Sequence, residues 1–224
     1  ATVGGWIAAA GSGQASTYYG DACNLLVGAE WVTPAGTIRT LDIPGTATGP
    51  RVNEFLKGSE GAYGILVEAT MKVFRHVPEN RQRFAVMYPS WNAAIEASRE
   101  IVQGEFGLPA VYRISDPEET EIGLKLKGFD QPLFDRLLRS RGLVAGSRCL
   151  CIGTAEGEIG YARHVKKTAL AIARKHGATS FTGFATKQWE HGRYSDVHMR
   201  EDLLDYGIII DTLETGITWD NLHH

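Results

Sequence analysis

Three glycines, Gly58, Gly61 and Gly64, fall at a spacing of three directly ahead of the apolar run Ile65-Leu66-Val67. Lacking a Cβ, each lets backbone N–H groups come close to a ligand, and successive N–H groups in such a turn form a concavity suited to an anion. A tight glycine-rich turn without a ligand reads equally well from these residues alone. A second cluster, Gly11-Ser12-Gly13-Gln14-Ala15-Ser16, carries two glycines of a dinucleotide fingerprint. It lacks the third glycine, a preceding strand and a following helix, so it does not read as a Rossmann phosphate turn. No G-x-x-x-x-G-K-[ST] run is present, which removes a P-loop.

Arg200 sits in Asp196-Val-His-Met-Arg-Glu-Asp-Leu-Leu204. A guanidinium is suited to a phosphate or carboxylate because it offers bidentate hydrogen bonds. The alternative is a solvated helix-surface arginine paired with Glu201 or Asp205. His198, two residues away, faces elsewhere on a helix, and Arg113, at a strand position, suits a structural ion pair. Glu68 reads as a polar residue on the solvent side of a strand. Cys149 and Cys151 alternate within an apolar run and share a face of a strand. C-x-C with no neighbouring histidine is not zinc spacing, so they read as buried thiols and no metal site is expected.

These residues need elements to hold them. Ala8 to Ala10 allow a helical turn or two, which Gly11 to Gly13 would end. Leu25–Thr33 and Thr37–Leu41, split by Pro34-Ala35-Gly36, read as a β-hairpin. Residues 43–50 read as loop, Val52 to Phe55 as a short helix and Ile65–Phe74 as a strand. The composition changes after Pro78-Glu79-Asn80. Strands are then expected at Arg83–Tyr88, Pro109–Ser115, Arg148–Thr154 and Ile208–Leu213. Helices are expected from the Ser90 N-cap to Gln103, within 117–141, over Gly157–Lys175 with Gly177 ending it, and over Ser195–Asp205. Repeated strand–helix–strand suggests an antiparallel sheet with helices on one face.

The chain has 224 residues, 43% hydrophobic and 22% charged, an ordinary globular balance. Its net charge of −3 and the lack of a long Lys/Arg block give no electrostatic case for nucleic acid. Three cysteines without a secretory leader argue against a disulfide framework. No apolar run approaches the ~18–20 residues of a transmembrane segment, and the chain reads as cytoplasmic. It opens on Ala1 in mid-motif, so it reads as an excerpt of a longer protein.

The order of motifs is more specific than any one of them. Thr2-Val-Gly-Gly-Trp-Ile comes first, then Gly11-Ser-Gly-Gln, then Tyr19-Gly20. A valine-rich strand ending Val32-Thr-Pro-Ala-Gly36 follows, then Gly49-Pro50, then Gly58-Ser-Glu-Gly-Ala-Tyr-Gly-Ile-Leu-Val-Glu-Ala-Thr70. This series resembles the FAD-linked oxidases of the vanillyl-alcohol-oxidase fold, and among them the alkyldihydroxyacetonephosphate synthases of ether-lipid synthesis. The similarity continues more weakly through Pro109-Ala-Val-Tyr-Arg-Ile-Ser-Asp116, Lys127-Gly-Phe-Asp130, Ala173-Arg-Lys-His-Gly177 and Asp211-Thr-Leu-Glu-Thr-Gly-Ile-Thr-Trp-Asp220.

The resemblance implies an α+β chain in two parts. Residues 1–78 would be the second half of an FAD-binding domain, and 79–224 an incomplete substrate or cap domain. It implies FAD as cofactor, lined by Thr2 and Ala9, Ala10, Gly11 and Ser12, with Glu60, Gly61, Ala62, Tyr63, Gly64, Ile65 and Leu66 against the adenine half or the pyrophosphate. The family often has Thr-Leu where Ala62-Tyr63 stands here. Alignment on the Leu-Glu-Thr and Trp-Asp landmarks matches Arg200 to the cap arginine that serves the active site. The implied partner is a small anionic substrate bearing phosphate or carboxylate, with a homo-oligomer as a further expectation. The family's pyrophosphate loop and its histidine-rich catalytic segment fall outside these residues, so the chain alone is expected to be inactive. Rival readings are an FAD-dependent D-2-hydroxy-acid dehydrogenase or oxidase, and an inactive fragment or interaction module.

Overall fold

Thr2 starts the first element. Its hydroxyl accepts from the amide of Gly5 at 3.1 Å and caps helix α1, Val3–Ala8. A short helix α2, Ser16–Tyr19, stops at Gly20. The expected hairpin follows as β1, Leu26–Thr33, and β2, Gly36–Arg39; then come α3, Val52–Leu56, and β3, Ile65–Met71. These three strands form an antiparallel sheet in the order β2-β1-β3. The computed structural model describes residues 2–43, 45–194, 198–209, 211 and 213–222, with Met199 by its backbone only.

The chain divides into two compact units. The first comprises Ala1–Gln82, Gly107–Arg113 and Thr154–Val165, and the second Arg83–Phe106, Ile114–Gly153 and Lys166–His224. In the first unit Ile7, Ala29, Trp31 and Leu56 form a buried core, with Leu26, Leu66, Ala69 and Met71 packed on it. Trp31 is placed by more than burial. Its indole N–H donates to Asn53 Oδ1 at 3.3 Å, Asn53 Nδ2 donates to Thr40 Oγ1 at 3.1 Å, and Thr40 Oγ1 accepts from the Ala29 amide at 2.9 Å. This chain of bonds ties α3 to β1 and satisfies polar atoms that the core would otherwise strand.

Ser90 Oγ accepts from the Ala93 amide at 3.2 Å, so Ser90 is the N-cap the sequence indicates for α4, Trp91–Gln103, which follows β4, Gln82–Tyr88. Then come β5, Val111–Ile114; α5, Pro117–Leu126; α6, Pro132–Arg139; β6, Cys149–Ala155; α7, Ile159–Lys175; and β7, Thr179–Phe181. Helices α8, Phe184–Gly192, and α9, Met199–Leu204, follow. The four strands are ordered β5-β6-β4-β7, the order of a β-α-β-β-α-β unit, and β4 pairs antiparallel with β7. Met87, Leu124, Leu138 and Leu143 form a buried cluster in the second unit.

One expected strand is corrected. Among the described residues of 208–213, Ile208, Ile209, Asp211 and Leu213 are not in a strand, while Ile210 and Thr212 lie outside the described residues. Ile209 and Leu213 are 81% and 98% exposed, so their β-forming side chains have no sheet face to pack on. The fourth strand is β7 instead, three half-buried residues too short to show an apolar run. The expected helix over 195–205 is observed as α9; Ser195 to Val197 lie outside the described residues.

Candidate functional site

The two segments singled out in the sequence lie side by side in the first unit. The Gly58 amide donates to the Ile7 carbonyl at 2.9 Å, and the Glu60 amide donates to the Ala8 carbonyl at 2.9 Å. The turn after α1 is held in its own right: Gly11 N donates to Trp6 O at 2.6 Å, and Ala22 N to Gly11 O at 3.1 Å. The result is a ledge of small residues. Ala9, Ala10, Ser12, Gly61 and Ala62 are exposed, and Gly11 and Gly64 are half-buried.

The backbone of the ledge is strained. Gly58 and Gly61 have φ of +70° and +87°. Ala10 and Glu60 have φ of +50° and +51°, and among the described residues only Glu105 joins them as a non-glycine with positive φ. Left-handed backbone costs an L-residue about 1–2 kcal/mol, and such strain persists where surrounding structure enforces it, often at binding sites. Here the enforcing contacts are the two bonds between the loops. Gly64 is needed for close approach: a Cβ there would stand 2.7 Å from the Val32 carbonyl oxygen, where β3 enters the sheet.

A flat cofactor would meet small residues and apolar surface here. A Cβ added at Gly13 or Gly61 would meet no heavy atom within 4 Å, so the space over both glycines is open. Phe55 and Tyr63 stack with ring centroids 4.6 Å apart, and Trp6 and Ile65 are exposed nearby in sequence to the two loops. Small side chains, open glycines and exposed ring faces fit FAD, the group the sequence resemblance implies. Thr2 is exposed with its hydroxyl engaged in the α1 cap, and Leu66 turns half-buried toward the core.

The remaining candidates lie elsewhere. Arg200 is an exposed residue in the first turn of α9, in the second unit, and His198 is the exposed residue preceding that helix. Arg113 is half-buried on β5. Glu68 is exposed on β3, 3.5 Å from Arg39 Nη2, as expected for a solvent-facing position. Cys149 and Cys151 are fully buried. Burial, with a smaller contribution from Asp116, pushes the Cys149 thiol up to about 11, so it is a protonated core group and no nucleophile. Among the described residues no group of His, Cys, Asp and Glu is arranged to hold a metal ion, and no helix is long and apolar enough to cross a membrane.

A second cluster in the first unit has almost no local signature in the sequence. Tyr19 Oη donates to Glu156 Oε2 at 2.8 Å, and Arg81 Nε stands 2.8 Å from Glu156 Oε1. Burial first, and then the hydrogen bond to Glu156, hold the Tyr19 phenol far above the usual tyrosine range, so it stays a donor. Tyr18, Tyr19 and Phe74 line a cleft of about 250 Å³ together with Arg75, Asn80 and Glu158. The adjacent aromatics Tyr18-Tyr19 were the one available signal; Glu156 is too far along the chain for spacing to reveal. Also unforeseen was the Arg148 guanidinium in the second unit, 3% exposed and held by Glu121 and Asp135.

Comparison with known proteins adds lineage to this geometry. The family model described as "FAD binding domain" matches residues 1–42, and the model described as "FAD linked oxidases, C-terminal domain" matches residues 77–224. The alkyldihydroxyacetonephosphate synthase of Dictyostelium discoideum is 30% identical over 229 residues, covering 99% of this chain and 37% of that protein. That of Trypanosoma brucei brucei is 26% identical, covering 100% and 37%. A solved alkyldihydroxyacetonephosphate synthase structure superposes with a TM-score of 0.79 at 30% identity, covering 98% of this chain and 40% of that one. The chain thus spans about two-fifths of the length of these relatives.

Proposed function

The chain belongs to the FAD-linked oxidases, whose cofactor is FAD, and we propose that its ledge of Ala9–Ser12 and Glu60–Leu66 is one wall of the FAD site. The observation that carries this reading is the pair of bonds from Gly58 to Ile7 and from Glu60 to Ala8. They hold two distant loops in one small-residue surface with strained backbone on each side. FAD, when bound, supplies an isoalloxazine ring that accepts and returns electrons. The chain's own contribution is to support the cofactor by backbone groups and to leave room for it at Gly13 and Gly61. On this reading residues 1–78 carry the cofactor and 79–224 the substrate specificity.

For the whole protein we propose an alkyldihydroxyacetonephosphate-synthase-like activity on a small substrate bearing phosphate or carboxylate. Support comes from the relatives' names and from the likeness running through nearly all of this chain. Arg200 is assigned to the substrate anion, because a planar guanidinium reads phosphate and carboxylate bidentately. Two experiments test the proposal. Ala62→Trp in the full-length protein places bulk on the exposed ledge and should weaken FAD binding at least 10-fold with the melting temperature unchanged; unaltered FAD affinity refutes the ledge. Incubation with an acyl dihydroxyacetone phosphate and a fatty alcohol should yield an ether product. Oxidation of D-2-hydroxy acids without ether formation would replace that reading with a dehydrogenase.

A further inference from the structure

The connection between β5 and β6 is far longer than the fold requires. The two strands are neighbours in the sheet. Ala110 N donates to Thr154 O at 2.7 Å and Ser115 N to Leu150 O at 2.8 Å, so one chain rises as the other descends. Antiparallel neighbours close with a loop of about 2–5 residues. Here residues 115–148 leave the sheet, form α5 and α6, and return.

The hairpin seats on its unit by one face, where Thr120, Leu138 and Leu143 are at most 1% exposed. Leu124, Leu138 and Leu143 close over Met87, with Phe134, Leu150 and Phe181 around them. On the outer side Leu126 and Leu133 are 79% and 80% exposed. At the base, Thr120 Oγ1 accepts from the Leu150 amide at 2.9 Å and donates to the Ser115 carbonyl at 3.2 Å, and Arg148 joins the two helices. Arg148, 3% exposed, donates from Nε and Nη2 to the two oxygens of Glu121 on α5 at 2.7 and 2.8 Å, and from Nη1 to Asp135 on α6 at 2.9 Å. Arg139 Nε holds the other oxygen of Asp135 at 2.6 Å, and the Gly146 amide reaches Glu121 at 3.4 Å. A buried guanidinium deprived of its carboxylates is left as an uncompensated charge, which is strongly unfavourable. The bonds to α5 and α6 therefore form and break together rather than one by one.

We propose that the α5–α6 hairpin, residues 117–144, opens and closes as one lid on the second unit, with Arg148 as the latch that fixes its closed position. The latch is electrostatic and the hinge lies at the two chain crossings beside Ser115 and Arg148. Opening costs β6 one backbone hydrogen bond, from the Leu150 amide to Thr120 Oγ1 at 2.9 Å, and leaves the helices α4 and α7 intact.

Amide hydrogen exchange on the full-length protein tests this. In the wild type, α5 and α6 should exchange through a shared opening that is more frequent than the opening of α4 and α7. Arg148→Lys keeps a cation but loses the fork, and should raise exchange across 117–144 at least 10-fold while α4 and α7 stay unchanged. Arg148→Met should do the same or more. Should Arg148→Met fail to fold, the wild-type profile and Arg148→Lys decide the matter. Exchange of the hairpin only together with α4 and α7, or equal acceleration of every element in Arg148→Lys, would overturn the proposal.

Discussion

Gly58 donates its amide to the carbonyl of Ile7 at 2.9 Å, and an added Cβ at Gly58 would stand 3.2 Å from the Cβ of Ala10. The two loops of the ledge therefore meet at a position where a side chain would press on Ala10, on a backbone with φ of +70°.

Gly58→Val combines left-handed strain with pressure on Ala10. We expect a loss of about 1–3 kcal/mol in stability, read as a lowered urea midpoint with an unchanged slope. An unchanged midpoint would show that the loops adjust freely and that the junction is not rigid.

The second unit offers an independent packing test. Gly153 on β6 lies so close to Phe84 that an added Cβ would overlap the ring. Gly153→Ala should cost about 1–3 kcal/mol by overpacking, and Gly153→Ala with Phe84→Leu should recover part of it. A neutral Gly153→Ala would mean that Phe84 has another rotamer within reach.

Acid should weaken the second unit. Hydrogen bonds from Arg139, and then from Arg148, hold the Asp135 carboxyl below its usual range; Lys175, then His176, do so for Glu100. A carboxyl lowered in the folded state binds fewer protons there than in the unfolded state, so stability rises with pH. The contribution is present above the unfolded value and fades as pH falls from about 5 toward about 2. Urea melts should follow that course, and Asp135→Asn should flatten it; a parallel curve for the variant would remove Asp135 from the account.

Arg200→Lys addresses the substrate assignment in the full-length enzyme. Losing a charged hydrogen bond to a substrate anion costs about 1.5–3 kcal/mol, so turnover should fall roughly 10- to 150-fold. Stability should hold within about 0.5 kcal/mol, as for other exposed positions. Normal kinetics would return Arg200 to an ordinary solvated helix position.

Local signals carried much of this fold. Ser90 as an N-cap, Pro34-Ala35-Gly36 as a hairpin turn, and the alternation of Cys149 and Cys151 all act through neighbours in the chain, and each is observed. The ledge was legible as two separate segments, because small residues and glycine spacing are local properties. What no spacing could show is that Gly58 and Ile7 are partners. Where signals failed, tertiary context decided. Ile208 to Leu213 has the composition of a strand but exposed described residues, whereas β7 is three residues whose place comes from pairing with Ala85, Val86 and Met87. Arg148 and the Tyr19–Glu156 pair escaped notice because buried charge is fixed by partners distant in sequence.

On the proposed reading the Ala9–Ser12 and Glu60–Leu66 loops together form a wall of the FAD site. Amide hydrogen exchange of the full-length protein with and without FAD tests it most directly, since it reads both loops at once. FAD should slow exchange in both segments together, with α8 and α9 little changed. FAD-dependent protection elsewhere, with both loops exchanging as fast as in the apoprotein, would contradict it.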